Sequence, residues 1–461
     1  MSRRSLVALI TGLLALALVP SAARAVTYTG TVIDGPGDAI TSTGSLDIAR
    51  DGSGGIAYVK GGRVWVATTT VGLWSPPAPI DAGVPADATD VHLSAVSGGA
   101  LVVAWVAGGG VWAAYRPPFA PAFGRAVPVY GAAADGLSLD LSVNLKAYLA
   151  FHSAGNVRVA ELVGGRWSIV PQWLDANGAD DAGAGTGRPD VAVASDGTAI
   201  VAWGENRAVY ARRVRGLHVS TVVVPASLTS LEGHPAGTAD EPLVGVGDDD
   251  SFATVVFRQN FALGSGSVER EIGRTLRGSA FDPAAPVDGL TWTGESVSSA
   301  NFVMAGNTHG MATISRSSGQ VWSTPVDVPG RILGSSRADV TASTEPAQGV
   351  GATAEHDWAF VVSRRASVTG SQVVARQRKT NGTFFYLPEA VLSEPSFGAI
   401  DPDAGLLAAA DDVGDLVAAF VQGTGTGRRL VVGGVDFPPA VASNLGPTTW
   451  QRSNRPRLIW T

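Results

Sequence analysis

An all-β chain made of repeated four-stranded units is the fold this sequence predicts, and three observations carry the prediction. The 461 residues include 58 Gly and 27 Pro, and no stretch sustains the apolar stripe of an amphipathic helix. The run from Asp190 to Val224 divides into four β-type segments: Asp190 to Ser195, Thr198 to Trp203, Ala208 to Val214 and Leu217 to Val224. These are termed strands a to d, and the turns Asp196-Gly197, Gly204-Glu205-Asn206-Arg207 and Arg215-Gly216 join them. The same unit recurs along the chain with a period of roughly fifty residues.

Residues 1–25 precede the repeats. Arg3 and Arg4, an apolar run from Leu6 to Val19, and a small-residue site at Ala23-Arg24-Ala25 are the parts of a secretory signal peptide. The apolar run is shorter than the roughly 20 residues a membrane span needs, so no transmembrane span is expected in the mature chain. Ser2-Arg3-Arg4-Ser5-Leu6 also resembles a twin-arginine signal, which leaves the export route open. Cleavage would remove three arginines and no acidic residue, taking the formal charge from −7 to −10. A surface of that sign is a poor partner for nucleic acid. With no Cys, the exported fold has neither disulfides nor a thiol nucleophile and depends on its apolar core.

The repeats follow in order. Copy one opens at Asp47 and carries Ile56-Ala57-Tyr58-Val59 and Val64-Trp65-Val66-Ala67. Copy two opens at Asp90 and carries Leu101 to Trp105 and Val111 to Tyr115; copy three opens at Asp140 and carries Tyr148 to Phe151 and Val157 to Ala160. Copy four is the defining stretch. Copy five opens at Glu241, with a long excursion from Arg258 to Ser267 between its apolar segments. In copy six, Gly310 to Ile314 aligns as strand c and Ser318-Gly319 as the c–d turn, which places strand a at Leu290 to Val297 behind Asp288. Copy seven opens at Asp339, carries Trp358 to Val362 and turns at Asn381-Gly382. Copy eight opens at Asp403, carries Leu416 to Phe420 and Leu430 to Val432, and stops at Pro438-Pro439 without a strand d.

Strand b is almost continuously apolar, as in Ala199-Ile200-Val201-Ala202-Trp203, and must be covered on both faces. Radially stacked blades of a β-propeller provide that cover. The segment Tyr28 to Asp34 matches Trp74 to Asp81 in pattern and can supply the strand that copy eight lacks, closing the ring and removing exposed edges. The apolar-Asp-Gly-apolar-Trp pattern, clearest at Val191 to Trp203, resembles the repeats of secreted bacterial β-propeller proteins. That resemblance implies the propeller fold over about residues 26–440, and the eight copies counted above make eight blades the expectation, with seven as the alternative. Residues 441–461 fit no blade; Pro456 to Trp460 reads either as a tail or as the first strand of a following β-sandwich domain.

No catalytic motif is present: there is no His-Glu-x-x-His, no Gly-x-Ser-x-Gly and no phosphate-binding loop. Bacterial sialidases are propeller enzymes marked by an Asp box, Ser-x-Asp-x-Gly-x-x-Trp, which this chain lacks. Three groups of candidates follow from position. The acids that open strand a, Asp47, Asp90, Asp140, Asp190, Glu241, Asp339 and Asp403, would ring one mouth of a central channel and draw a cation, or else bond backbone amides. Asp175, Asn177, Asp180 and Asp181, in the loop from Asp175 to Arg188, offer hard oxygen ligands suited to Ca²⁺, the one metal these residues suggest. Glu232, His234, Arg258, Asn260 and Phe261, in loops Leu231 to Asp240 and Arg258 to Ser267, offer polar and aromatic contacts to a ligand.

The expected protein is an extracellular, monomeric, non-catalytic binding or scaffold module, with Ca²⁺ the one cofactor its residues suggest and its ligand a polysaccharide or a surface protein. A glycan-acting hydrolase or lyase, and a repeat region within a larger surface protein, are the alternatives.

Overall fold

The computed structural model describes residues 26–37, 39–70, 72–176, 181–221, 224–248, 252–305, 309–327, 330–339, 348–353, 358–367, 370–379, 389–436, 441–443 and 458–460. Eight antiparallel sheets follow one another in sequence, each a meander whose strand a is central and whose strand d is peripheral. They form an eight-bladed β-propeller. In blade four the strands are Asp190–Val193, Thr198–Glu205 and Ala208–Arg215, with strand d split into His218–Val219 and Val224–Pro225. Strand a of the other blades is Ile40–Ile48, Thr89–Val96, Asp135–Leu141, His234–Val246, Val297–Met304, Gln348–Thr353 and Leu406–Ala410. No helix among the described residues is long and apolar enough to cross a membrane.

Blade eight has the order Val26–Asp34, Arg429–Asp436, Leu416–Gln422, Leu406–Ala410, so the N-terminal strand is its strand d. Gly434 permits this closure: a Cβ there would lie 1.9 Å from the Leu416 carbonyl oxygen and 2.5 Å from the Tyr28 hydroxyl. On the inner side, Thr43 of blade one donates its hydroxyl to the Ala404 carbonyl, 2.6 Å away. A second compact unit contains the described strands Val441–Ser443 and Leu458–Trp460, which pair antiparallel.

The core lies between blades. Ala199, Val201 and Trp203 point from strand b of blade four into a cluster with Tyr148, Val157 and Val159 of blade three. Ile200 and Ala202, alternating with them, enter the cluster that contains Phe257 and Ile272 of blade five. All five are fully buried. Trp105 plays the corresponding part between blades one and two, and Tyr58 between blades eight and one. Truncating such an aromatic to Ala costs about 3–5 kcal/mol, which explains why the apolar run of strand b is the clearest mark of the repeat.

Three readings of the sequence are corrected. The stretch Arg258 to Ser267 is no irregular loop: strands b and c of blade five, Phe252–Leu263 and Gly266–Arg277, pair through it without a break. Its alternating side chains satisfy both sheet faces, and the turn sits at Gly264 (φ +60°). Leu231 to Asp240 is likewise mostly strand, from His234 onward. In blade six the register moves by one strand: Gly310–Arg316 is strand b, Val321–Asp327 is strand c, and Ser318-Gly319 lies in the turn between them. Asp288 and Asp339 each stand nine residues before the strand a that follows, Val297–Met304 and Gln348–Thr353, and belong to the connections. The Asn381-Gly382 turn lies outside the described residues.

Candidate functional site

In each meander the d–a connection and the b–c turn emerge on one face of the ring, and the a–b and c–d turns on the other. The central channel opens at both. Toward the d–a face it forms a cavity of about 430 Å³ whose lining includes His92, Ser138, Arg188, Asp190 and Phe302. Toward the a–b face a cavity of about 370 Å³ is bordered by Arg50, Ser142, Ser195, Asp248 and Asp411. Arg50 of blade one and Asp248 of blade five, opposite each other in a ring of eight, meet as an ion pair at 2.5 Å across this end.

Of the seven strand-a acids, Asp47, Asp140 and Asp190 line the channel, and these three and Asp90 each reach the next blade. Asp47 accepts the Ala95 N–H at 2.8 Å, and Asp90 accepts that of Leu137 at 2.7 Å. Asp140 accepts that of Val193 at 2.6 Å, and Asp190 that of Val244 at 2.8 Å. These carboxylates tie blades one through five into a continuous inner ladder. The backbone-bonding alternative is thus how they are employed, but the amide belongs to the following blade and not to the preceding turn. Asn301 does the same for blades six and seven, accepting the Gly351 N–H at 2.9 Å.

Asp47 and Asp140 both approach the Ser94 hydroxyl, at 3.3 Å each. Burial pushes the Asp47 carboxyl up to about 6 against the amide and hydroxyl bonds that lower it. Asp140 rises to about 7 through burial, with the neighbouring Asp47 charge adding to it. Burial also raises Asp190, opposed by its bonds to Ser138 and Val244. Asp90 is held low: burial works upward, but the His92 hydrogen bond at 3.1 Å and His92 and Arg188 charges outweigh it.

The remaining ring candidates are elsewhere. Glu241 pairs with Arg258 at a bulge of strand a. Asp339 accepts the Val321 N–H at 3.0 Å and pairs with Arg337. Asp403 is exposed in the loop before strand a, where its own N–H donates to Asp401. Asp339 shares its task with three other acids that follow a strand d. Asp81 takes the Val64 N–H, Asp175 that of Val157, and Asp288 that of Glu271, each on the neighbouring strand c.

Asp175, proposed for calcium, is thus one of these caps, and Asp181 accepts the Asn206 N–H at 2.8 Å. Asn177 and Asp180 lie outside the described residues. Among the described residues no three His, Asp or Glu side chains converge as a metal site.

The ligand-contact candidates separate onto two sides of blade five. Glu232, His234 and Phe261 gather round Trp292. His234 stacks on the indole at 3.8 Å, Phe261 meets it edge-on at 5.7 Å, and the Glu232 carboxylate accepts its N–H at 2.7 Å. Arg270, bound to buried Asp288, lies 4.6 Å from the same ring. Phe261 is fully buried and cannot meet a ligand. Arg258 and Asn260 alternate onto the other side, where Asp240, Glu241 and Glu269 surround the Arg258 guanidinium. The carboxyl of Glu271, directly opposite Arg258 in the ladder, is buried and accepts no hydrogen bond among the described residues; burial raises it well above the ordinary range.

Sequence reasoning missed Trp173. It lies in the d–a connection of blade three, half exposed on the loop face. Arg158 lies 4.8 Å from its ring, and Arg212 donates to its carbonyl and to that of Leu174. The Leu174 N–H bonds Val157 at 3.2 Å, fixing the backbone behind the indole. The only available signal was an aromatic immediately before the Asp175 loop.

The fold and channel define a β-propeller protein. No family model matches the chain, and no curated protein matches it. Among solved structures, a PL25 ulvan lyase bound to -[GlcA(1-4)Rha3S]- is similar at TM-score 0.50 and 9% identity, over 89% of this chain and 96% of that one. YCF48 from Cyanidioschyzon merolae is similar at TM-score 0.41 and 13% identity, over 73% and 96% of the two chains. A protein of unknown function from Dyadobacter fermentans gives 0.38 and 12%, over 66% and 94%. At these identities the likeness is one of fold.

Proposed function

We propose that this chain is a secreted polysaccharide-binding module that docks a neutral glycan on the d–a face, with Trp173 as the stacking platform. The observation that carries the reading is a large aromatic kept half in water while Arg158 and two Arg212 hydrogen bonds hold it in place. A pre-ordered indole loses little conformational entropy when a sugar ring covers its open side. The chain's net charge of −7 favours a neutral glycan over a polyanion. The ulvan lyase offers a precedent for a saccharide on this fold and no guide to the residues.

Affinity electrophoresis in gels containing xylan, laminarin, dextran or galactomannan tests the reading. Retardation by at least one of them is expected. Trp173→Ala should weaken it by about tenfold or more, from the loss of roughly 1.5–3 kcal/mol of apolar contact, while Trp173→Phe retains part of it. Equal retardation of wild type and Trp173→Ala would refute the assignment.

A further inference from the structure

A hollow with apolar walls lies apart from both the channel and Trp173. It lies between the outer strands of blades one and two and has a volume of about 520 Å³, within the range of small-molecule sites. Val66, Pro79 and Ile80 form one wall, and Phe123 and Ala126 the other. No carboxylate lines it, although the chain carries 40 acidic residues. The nearest in sequence, Asp81, is buried and committed to Arg63 through two contacts of 2.8 Å and to the Val64 N–H. Two guanidinium groups do line the hollow. Arg116 is oriented by an Nε bond of 2.9 Å to Ala120. Arg125 is exposed and, among the described residues, has no hydrogen bond or ion pair.

We infer that this hollow binds a small amphipathic organic acid, its aryl or short alkyl body against Phe123, Val66 and Ile80 and its carboxylate on Arg125. An apolar wall alone would take any hydrophobe. The unpaired guanidinium, in a hollow without competing acids, selects an anionic end group, because its planar fork matches a carboxylate bidentately. A sugar would leave its hydroxyls facing apolar wall, and a cation would meet two like charges.

Isothermal titration of the full chain with 2-naphthoate tests this. A saturable site with Kd below about 1 mM is expected for a ligand of this size, with 2-naphthalenemethanol binding at least tenfold more weakly. Arg125→Gln should weaken naphthoate about tenfold, and Ala122→Trp, at the exposed rim, should abolish binding. Unchanged unfolding midpoints in both variants would show that the ring is intact. Absence of saturable binding, equal affinity in wild type and both variants, or equal affinity for acid and alcohol would each overturn the assignment. So would a dimer by size-exclusion chromatography that Ala122→Trp converts to monomer, because a second copy would then fill the hollow.

Discussion

Replacing Asp34 with Ala should open the seam of the ring. Asp34 ends the N-terminal strand, and its carboxylate joins that strand to blade one. Lys60 Nζ lies 2.8 and 2.9 Å from its two oxygens, the Tyr58 hydroxyl donates to it, and the Gly35 N–H donates at 2.7 Å. Asp34 is 10% exposed and Lys60 31%. Burial works to raise the Asp34 carboxyl, but the bonds from Lys60, Tyr58 and Gly35 together hold it below the ordinary carboxylate range. Losing the carboxylate strands the buried Tyr58 hydroxyl and a half-buried ammonium. Hydrogen bonds to charged groups contribute about 1.5–3 kcal/mol each but are not additive, so a total near 3 kcal/mol is expected, partly screened on the Lys60 side. With an unfolding entropy of about 2.1 cal/mol/K per residue, that is a fall of roughly 3–4 °C in Tm for a ring of about four hundred residues. Calorimetry at pH 7 and pH 3 checks it. A depressed carboxyl stabilises above its unfolded value and stops doing so as pH falls through the folded value, so the difference between wild type and variant should shrink at pH 3. A change below about 0.5 kcal/mol at pH 7, or one that persists undiminished at pH 3, would refute the latch.

Two further outcomes are expected. Asp190→Ala leaves the Val244 N–H and the Ser138 hydroxyl without their acceptor, and should cost about 1–3 kcal/mol in urea unfolding, toward the lower end where channel water substitutes; Asp190→Asn, which keeps one acceptor, should recover part of that. The ring as a whole should be most stable at mildly acidic pH. Asp47, Asp140, Asp190, Asp411 and Glu271 all have raised carboxyls, so the folded state retains protons that the unfolded chain has released, and stability falls as pH rises from about 4 to 7. Urea midpoints at pH 5 and 8 measure this, and a higher midpoint at pH 8 would contradict it. Glu271→Gln should remove part of the loss.

Strand b was legible because its requirement is local: Ala199 to Trp203 alternate into two different cores, and only stacked sheets supply both. The missing strand of the last blade was legible for a related reason, since Tyr28 to Asp34 is a strand d with no blade of its own. Blade six was misread because Gly310 to Arg316 fits strand b or strand c by pattern, and only pairing with Val297–Met304 decides between them. The loops of blade five were misread because Arg258 to Ser267 is polar; its ladder runs from Arg258 opposite Glu271 to Leu263 opposite Gly266, and polar side chains do not weaken backbone pairing.

The sequence by itself determined the repeat and the all-β class and pointed to the strand that closes the ring, because each follows from periodicity and the need to cover apolar strands; eight blades rather than seven was settled by the sheets themselves. Only the tertiary structure decided what the acids do. By position in the repeat, Asp47, Asp90, Asp140 and Asp190 could have ringed a channel mouth and drawn a cation, yet each meets an amide of the next blade about fifty residues away. Composition records that a carboxylate is present. Which N–H it faces depends on how the blades are set round the channel, and that arrangement exists only once the ring is closed.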